Sequence, residues 1–328
     1  MGRPLSLNRP AAGVPLHSFP PATLPEMLFL RHFCRIRPLL IACAWVLSLC
    51  PGCDREAADQ AAGEPDEGLR LAVLSPAAAI ILRDLGLEDA IVARHAYDKD
   101  LDQRLPVAGD QAGIDYESLL RARPTHVLLE WGPRDLPPRL ESLAQRRGWT
   151  VRSVRLLTLD DIRSATRELA ALTGDEATQN RAEALVRQLD EAWAPRPGIG
   201  AAAGRTLALY WTDPPGAAGP GSFHQQMLES MGTTPAIERG EPYIALDGER
   251  LRRLDPDSII LFMPGADAER LDELLGPLVR LDLRAVREGR IALIAHPHCQ
   301  LPSTAMIDIA EEAARAMESW RAADHRAP

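Results

Sequence analysis

Lysine is nearly missing from this chain. Lys99 stands alone among 37 basic residues, so no Gly-Lys-Ser/Thr phosphate loop can form. Cysteine is scarce beyond the N-terminus. Cys34, Cys43, Cys50 and Cys53 fall in the first 53 residues, which leaves Cys299 alone in the rest. One thiol makes no internal disulfide and offers no spaced zinc ligands. It is neutral about an oxidising compartment. There is no G-x-S-x-G elbow, and no pair of acids marks a hydrolase. Gly198-Ile-Gly-Ala-Ala-Ala-Gly204 precedes an expected strand, whereas the dinucleotide fingerprint must follow one and open a helix.

The 328 residues give room for two domains. Five of the 37 basic residues but only one of the 46 acids, Glu26, lie in residues 1–53. The remaining chain therefore holds 45 acids against 32 bases. An acidic body argues against nucleic acid as a partner, because phosphate binding needs a basic footprint.

The N-terminus reads as an address. Arg31, Arg35 and Arg37 precede eleven mostly apolar residues, 39–49. That run is too short for a bilayer, which takes about 20 residues, but it suits a secretory signal. Gly52-Cys53 follows, and the stretch from Asp54 is polar and rich in Ala and Gly, a flexible tether. Cys53, with small Gly52 before it, resembles the lipid-modified cysteine of bacterial lipoproteins; Cys50, preceded by Leu49, fits that pattern less well, and an uncleaved anchor is the alternative. Either way the body is expected outside the cytoplasm.

The body says one thing twice. Glu117-Ser-Leu-Leu-Arg-Ala-Arg-Pro124 runs into an apolar stretch, Thr125-His-Val-Leu-Leu129. Glu249-Arg-Leu-Arg-Arg-Leu-Asp-Pro256 runs into Asp257-Ser-Ile-Ile-Leu261. Both glutamates and both prolines are 132 residues apart. Each copy predicts a short helix led by Glu, a stop before Pro and a buried strand. Two similar lobes with a cleft between them are implied.

Strand and helix patterns alternate in each half, which predicts parallel sheets covered by helices. Between the halves, residues 160–172 and 176–193 are helical with no strand. Ala182, Leu185, Leu189 and Trp193 make one apolar stripe. The organisation expected is a leader (1–53), a tether (54–68), an α/β lobe (69–158), a backbone-helix region (159–195) and a second α/β lobe (196–328).

These pieces together resemble the periplasmic binding proteins that serve ABC importers of cobalamin, siderophore iron and haem. The resemblance rests on Leu71-Ala-Val-Leu-Ser-Pro-Ala77, Leu105-Pro-Val-Ala-Gly109, Ala122-Arg-Pro-Thr-His-Val-Leu-Leu129, the spine, Asp255-Pro-Asp-Ser-Ile-Ile-Leu261 and Val286-Arg-Glu-Gly-Arg-Ile-Ala-Leu-Ile294. It implies an α/β fold of two lobes, with central, mostly parallel sheets, joined by one long rigid backbone helix. It implies capture without catalysis and no required cofactor. The partners would be an ABC permease and its ATPase, with the membrane reached through a lipid on Cys53. Glu117 and Glu249 match the glutamates that dock such proteins onto permease arginines. The competing reason for both is local, since each can reach an arginine four residues on.

Residues just past strand ends face the cleft in such lobes. These are His95, Tyr97 and Trp131 in the first, and Trp211, His224, Tyr243, His296 and His298 in the second. Tyr97, Trp131, Trp211, His224, Tyr243 and His296 are the expected ligand contacts. Flat aromatic faces suit a large planar ligand. A cobalt corrinoid is the leading expectation, with haem or a ferric siderophore as alternatives. His95, His224, His296 and His298 raise two further readings: a bare transition-metal ion held by imidazoles, or a metal-dependent enzyme on the same fold.

Overall fold

A computed structural model describes residues 68–132 and 135–325. The expected leader, Cys53 included, and all of the tether but Gly68 lie outside the described residues. The first lobe contains β1 (Leu71–Val73), α1 (Pro76–Asp84), β2 (Ile91–His95), β3 (Val107–Asp110), β4 (Gly113–Ile114), α2 (Tyr116–Ala122), β5 (His126–Leu129), α3 (Pro138–Arg147) and β6 (Thr150–Ser153). Its sheet runs β4-β3-β2-β1-β5-β6 and is parallel except at β4. Ser75 caps α1 by accepting from the Ala78 N–H, and Pro76 pre-sets the first turn.

The linking region is helical, as its apolar stripe predicts. α4 (Leu159–Ala170) meets α5 (Glu176–Ala192) through a short 3₁₀ turn. Arg167–Glu183 and Arg163–Asp190 ion pairs join the two helices in antiparallel order. The 17 residues of α5 span about 25 Å. Trp193 ends it, buried, with its indole N–H aimed at the Met306 carbonyl of the second lobe.

The second lobe contains α6 (Ile199–Ala203), β7 (Arg205–Thr212), β8 (Pro215–Ala218), α7 (Phe223–Ser230), β9 (Thr234–Pro235), β10 (Tyr243–Ala245), α8 (Gly248–Leu254), β11 (Ser258–Phe262), α9 (Leu271–Leu275), α10 (Arg284–Arg287), β12 (Ile291–Ile294) and α11 (Met306–Asp324). Its main sheet path is β10-β8-β7-β11-β12, with β9 beside β7. The β7–β11–β12 part is parallel, whereas β8 and β10 are antiparallel additions. The region of β8 reads as a loop in sequence because Pro214, Pro215, Gly216 and Gly219 punctuate it. α11 begins at Met306 without a side-chain cap, and the nearby Ser303 hydroxyl donates to the Leu301 carbonyl.

Strand alternation sorts the core into layers. Leu207, Leu209, Ile259 and Leu261 face the outer helices of the second lobe. Their neighbours Ala208, Tyr210, Ile260 and Phe262 face inward. In the first lobe Val127 and Leu129 face outward and Leu128 inward. The inward faces share one apolar cluster with α1, α4, α5 and α11. Each fully buried aliphatic side chain adds about 1.5–3 kcal/mol. Hinge opening would have to break this continuous core, so the two lobes are held stiffly.

The repeat is structural. Asp115 caps α2 and Asp247 caps α8; both helices have seven residues and end on a left-handed residue, Arg123 (φ 46°) and Asp255 (φ 35°). An arginine from the first strand region of each lobe closes the helix end. Arg70 donates to the Ala122 carbonyl at 2.7 Å and Arg205 to the Leu254 carbonyl at 2.9 Å.

Candidate binding cleft

The parallel strands deliver their C-terminal ends to the space between the sheets. After β2 the chain turns through Tyr97. Arg94, nearly buried, holds that turn by donating to the carbonyls of His95 (3.2 Å) and Asp98 (3.1 Å). The Asp98 carboxylate accepts from the Asp100 and Leu101 N–H groups. Tyr97 projects from this frame, 58% exposed.

Across the cleft, Trp211 is the last residue but one of β7 and Tyr243 begins β10. They are 49% and 54% exposed. Tyr210 lies beneath both, its ring centre 5.7 Å from that of Trp211 and 5.6 Å from that of Tyr243. Gly216 makes room for the indole: a Cβ there would sit 2.3 Å from Trp211. Trp131 is half-buried, and its indole N–H donates to the Asp135 carbonyl at 3.0 Å. Among the described residues five large hydrophobic side chains are exposed, and three of them are Tyr97, Trp211 and Tyr243.

Two cavities flank these rings. One, about 320 Å³, is lined by Leu74, His95, Asp110, Glu130 and Trp131. The other, about 210 Å³, lies between Tyr97 and Asp100 of the first lobe and His298 and Leu301 of the second.

The four histidines do not meet at one point, although the ring centres of His296 and His298 are 5.5 Å apart. His224 is fully buried under Phe223 and Phe262. Its Nε2 donates to the Cys299 carbonyl at 2.6 Å, and its Nδ1 lies 2.9 Å from the Tyr210 hydroxyl. Burial pushes its pKa down to about 3. With both nitrogens engaged, His224 joins the second lobe's core and has none left for a ligand or metal. His95 spends Nδ1 on the Tyr97 N–H (3.2 Å), and burial lowers its pKa. His296 spends Nδ1 on the His298 N–H (3.1 Å). His298 faces Asp100 across the lobes at 3.0 Å; burial lowers its pKa against the pull of that carboxylate. Among the described residues no three His, Cys, Asp or Glu side chains are grouped to hold a metal ion.

The profile of the periplasmic binding protein family matches residues 71–296. The chain belongs to the periplasmic binding protein family. It is thus a binding protein and not an enzyme. Solved structures agree in fold. The vitamin B12 binding protein BtuF of Vibrio cholerae superposes with a TM-score of 0.62 at 18% identity, over 77% of this chain and 97% of that one. The haem-binding protein HutB of Vibrio cholerae gives 0.61 at 18%, over 76% and 98%. An ABC-type Fe3+-hydroxamate transport protein from Saccharomonospora viridis gives 0.56 at 22%, over 76% and 93%. No curated protein sequence matches the chain.

Two cleft features of this periplasmic binding protein escape sequence reasoning. Glu130 follows β5 and accepts a hydrogen bond from Ser75 at 3.1 Å. Crowding by protein raises its pKa, although its side chain stays accessible to solvent. The available signal was an acid closing the apolar run Val127-Leu-Leu129. Tyr210, hidden in a strand, is the second; its partnership with His224 had no sequence signal. The repeat glutamates line neither of the two cavities. Their side chains are 79% and 78% exposed, and they reach Arg121 at 3.3 Å and Arg253 at 3.2 Å.

Proposed function

We propose that this periplasmic binding protein captures a metal chelate and delivers it to an ABC permease. The observation that carries the reading is the trio of exposed rings, Tyr97, Trp211 and Tyr243, on opposite sides of one cleft. Exposed aromatics cost solvation free energy that a planar ligand recovers on binding. Cobalamin, haem and ferric siderophores are the ligand classes in view, with a cobalt corrinoid leading. The printed names of relatives in B12, haem and hydroxamate transport support that range. The core shared by both lobes supports a small closure around the ligand.

Delivery falls to Glu117 and Glu249, one on each lobe, as docking carboxylates for permease arginines. Matched exposure and matched helix position support the role. Lipidation at Cys53 would keep the protein at the membrane on the periplasmic side. Among the described residues no helix is long and apolar enough to cross a membrane.

The test is to purify the full protein from cells, record its absorption spectrum and measure bound Fe, Co and Zn. A Soret band identifies haem and a corrinoid spectrum identifies cobalamin. A colourless, zinc-loaded protein overturns the chelate reading in favour of a bare ion.

A further inference from the structure

Glu130 is placed as no ordinary surface acid is. It stands at the end of β5, on the wall of the 320 Å³ cavity beside Trp131. Protein crowds it, yet solvent reaches it, as on the inner wall of a cleft. Ser75 fills one acceptor position. A carboxylate has about four, and among the described residues Glu130 has no ion-pair partner. Its charge is felt on the other lobe, where it helps burial to raise the pKa of the Tyr243 phenol. Nearby acids carry the same sign: Asp110 lines the same cavity and Asp98 the neighbouring one, where Asp100 is paired with Arg83 at 3.4 Å. Among the described residues lining both cavities the one full-time cation is Lys99.

We propose that Glu130 sets the charge class of the ligand, selecting chelates that offer N–H donors or positive charge to the cleft wall and rejecting those that offer carboxylates. This rests on the chelate-binding reading and narrows it. A bound donor would complete the acceptor capacity that Ser75 leaves open, in a place where water is partly excluded and charge-assisted bonds are strong. A ligand carboxylate would meet like charge there, and such a clash gives specificity by rejection. Chelates with neutral amide arms, as on a corrin, fit this wall. A porphyrin carrying two carboxylates does not.

The experiment titrates the full protein at neutral pH with cyanocobalamin and with ferric protoporphyrin, following tryptophan fluorescence. Wild type, Glu130→Gln and Glu130→Lys are compared, with Trp211→Ala as a control. Wild type is expected to bind the amide-armed corrinoid at least about tenfold tighter than the porphyrin. Glu130→Gln should shrink that preference by about tenfold, and Glu130→Lys should reverse it. A wild-type preference for the porphyrin, or a ratio unchanged in both variants, overturns the proposal. In that event, weakening by Trp211→Ala shows that the aromatic reading survives without it. Binding of neither chelate by wild type overturns the chelate reading and this proposal together.

Discussion

Glu117 and Glu249 are the second residues of two helices built alike, each two positions past an aspartate cap and each bonded to an arginine four residues on. The shared local pairs explain little of why both lobes keep the glutamate. Exposed pairs of this kind add only about 0.3–0.5 kcal/mol each. Replacing both with alanine is therefore expected to leave the melting temperature nearly unchanged and ligand affinity intact. Uptake by cells relying on this protein should be lost. Normal uptake by the double variant would remove the docking role.

Trp211 owes its pose to Gly216. The indole lies where a Gly216 side chain would begin. Trp211→Ala is expected to weaken chelate binding by about tenfold or more, with stability changed by no more than about 1 kcal/mol, since half the ring is already exposed. Gly216→Ala should weaken binding as well by pushing the indole aside. In a Trp211→Ala background the same change should add nothing further to the loss of affinity, which a double-variant cycle reads directly. Additive losses would show that Gly216 acts through something other than the ring.

His224 belongs to stability rather than to binding. Truncation to alanine leaves the Cys299 carbonyl and the Tyr210 hydroxyl without their partner and opens a hole beneath Phe223 and Phe262. A cost of about 2–4 kcal/mol is expected in denaturant unfolding. The pH dependence has a definite sign. The buried imidazole has a pKa of about 3 against the ordinary 6.5. The unfolded chain therefore takes up a proton that the folded one refuses, and stability falls as pH drops from 6.5 toward 3. Between pH 7 and 5 this single group should remove about 2 kcal/mol, a loss that His224→Gln should not show. Equal slopes in the two proteins would contradict the assignment.

The parallel parts of both sheets were legible in sequence because unbroken apolar strands and proline stops leave strong signals. Leu128 and Ile260 sit in the core their patterns require. The antiparallel strands β8 and β10 were not: β8 is built of Pro, Gly and Ala, and the three residues of β10 are too few to show a period-two pattern. The exposure of Tyr97 and Trp211 was legible from their places at the ends of β2 and β7, whereas Tyr243 opens a strand that the pattern does not show. His224 misleads for a physical reason. A helix-start histidine looks solvent-facing in sequence, and only packing reveals that α7 turns it under Tyr210. Glu130 is not legible in sequence because a lone acid after a strand is common, and its contact with Ser75 joins residues 55 positions apart.

Arg94 gives the last prediction. It is a charged side chain almost without solvent contact, and its bonds run to the backbone of the loop that presents Tyr97. Gln103 closes the same loop by donating to the Asp98 and Leu101 carbonyls. Arg94→Ala strips the first set of donors from buried carbonyls, which should cost about 2–4 kcal/mol. The larger consequence should be local. Residues 96–103 would lose their frame, so their amide hydrogens should exchange faster while those of β1 and β5 hold. Tyr97 would then have to be ordered by the ligand itself, and affinity should fall even though no ligand contact was removed. Arg94→Lys should rescue stability in part but not affinity, because one ammonium cannot reproduce the planar fork that spans several carbonyls. Full affinity in Arg94→Ala would mean that Tyr97 contributes nothing to capture.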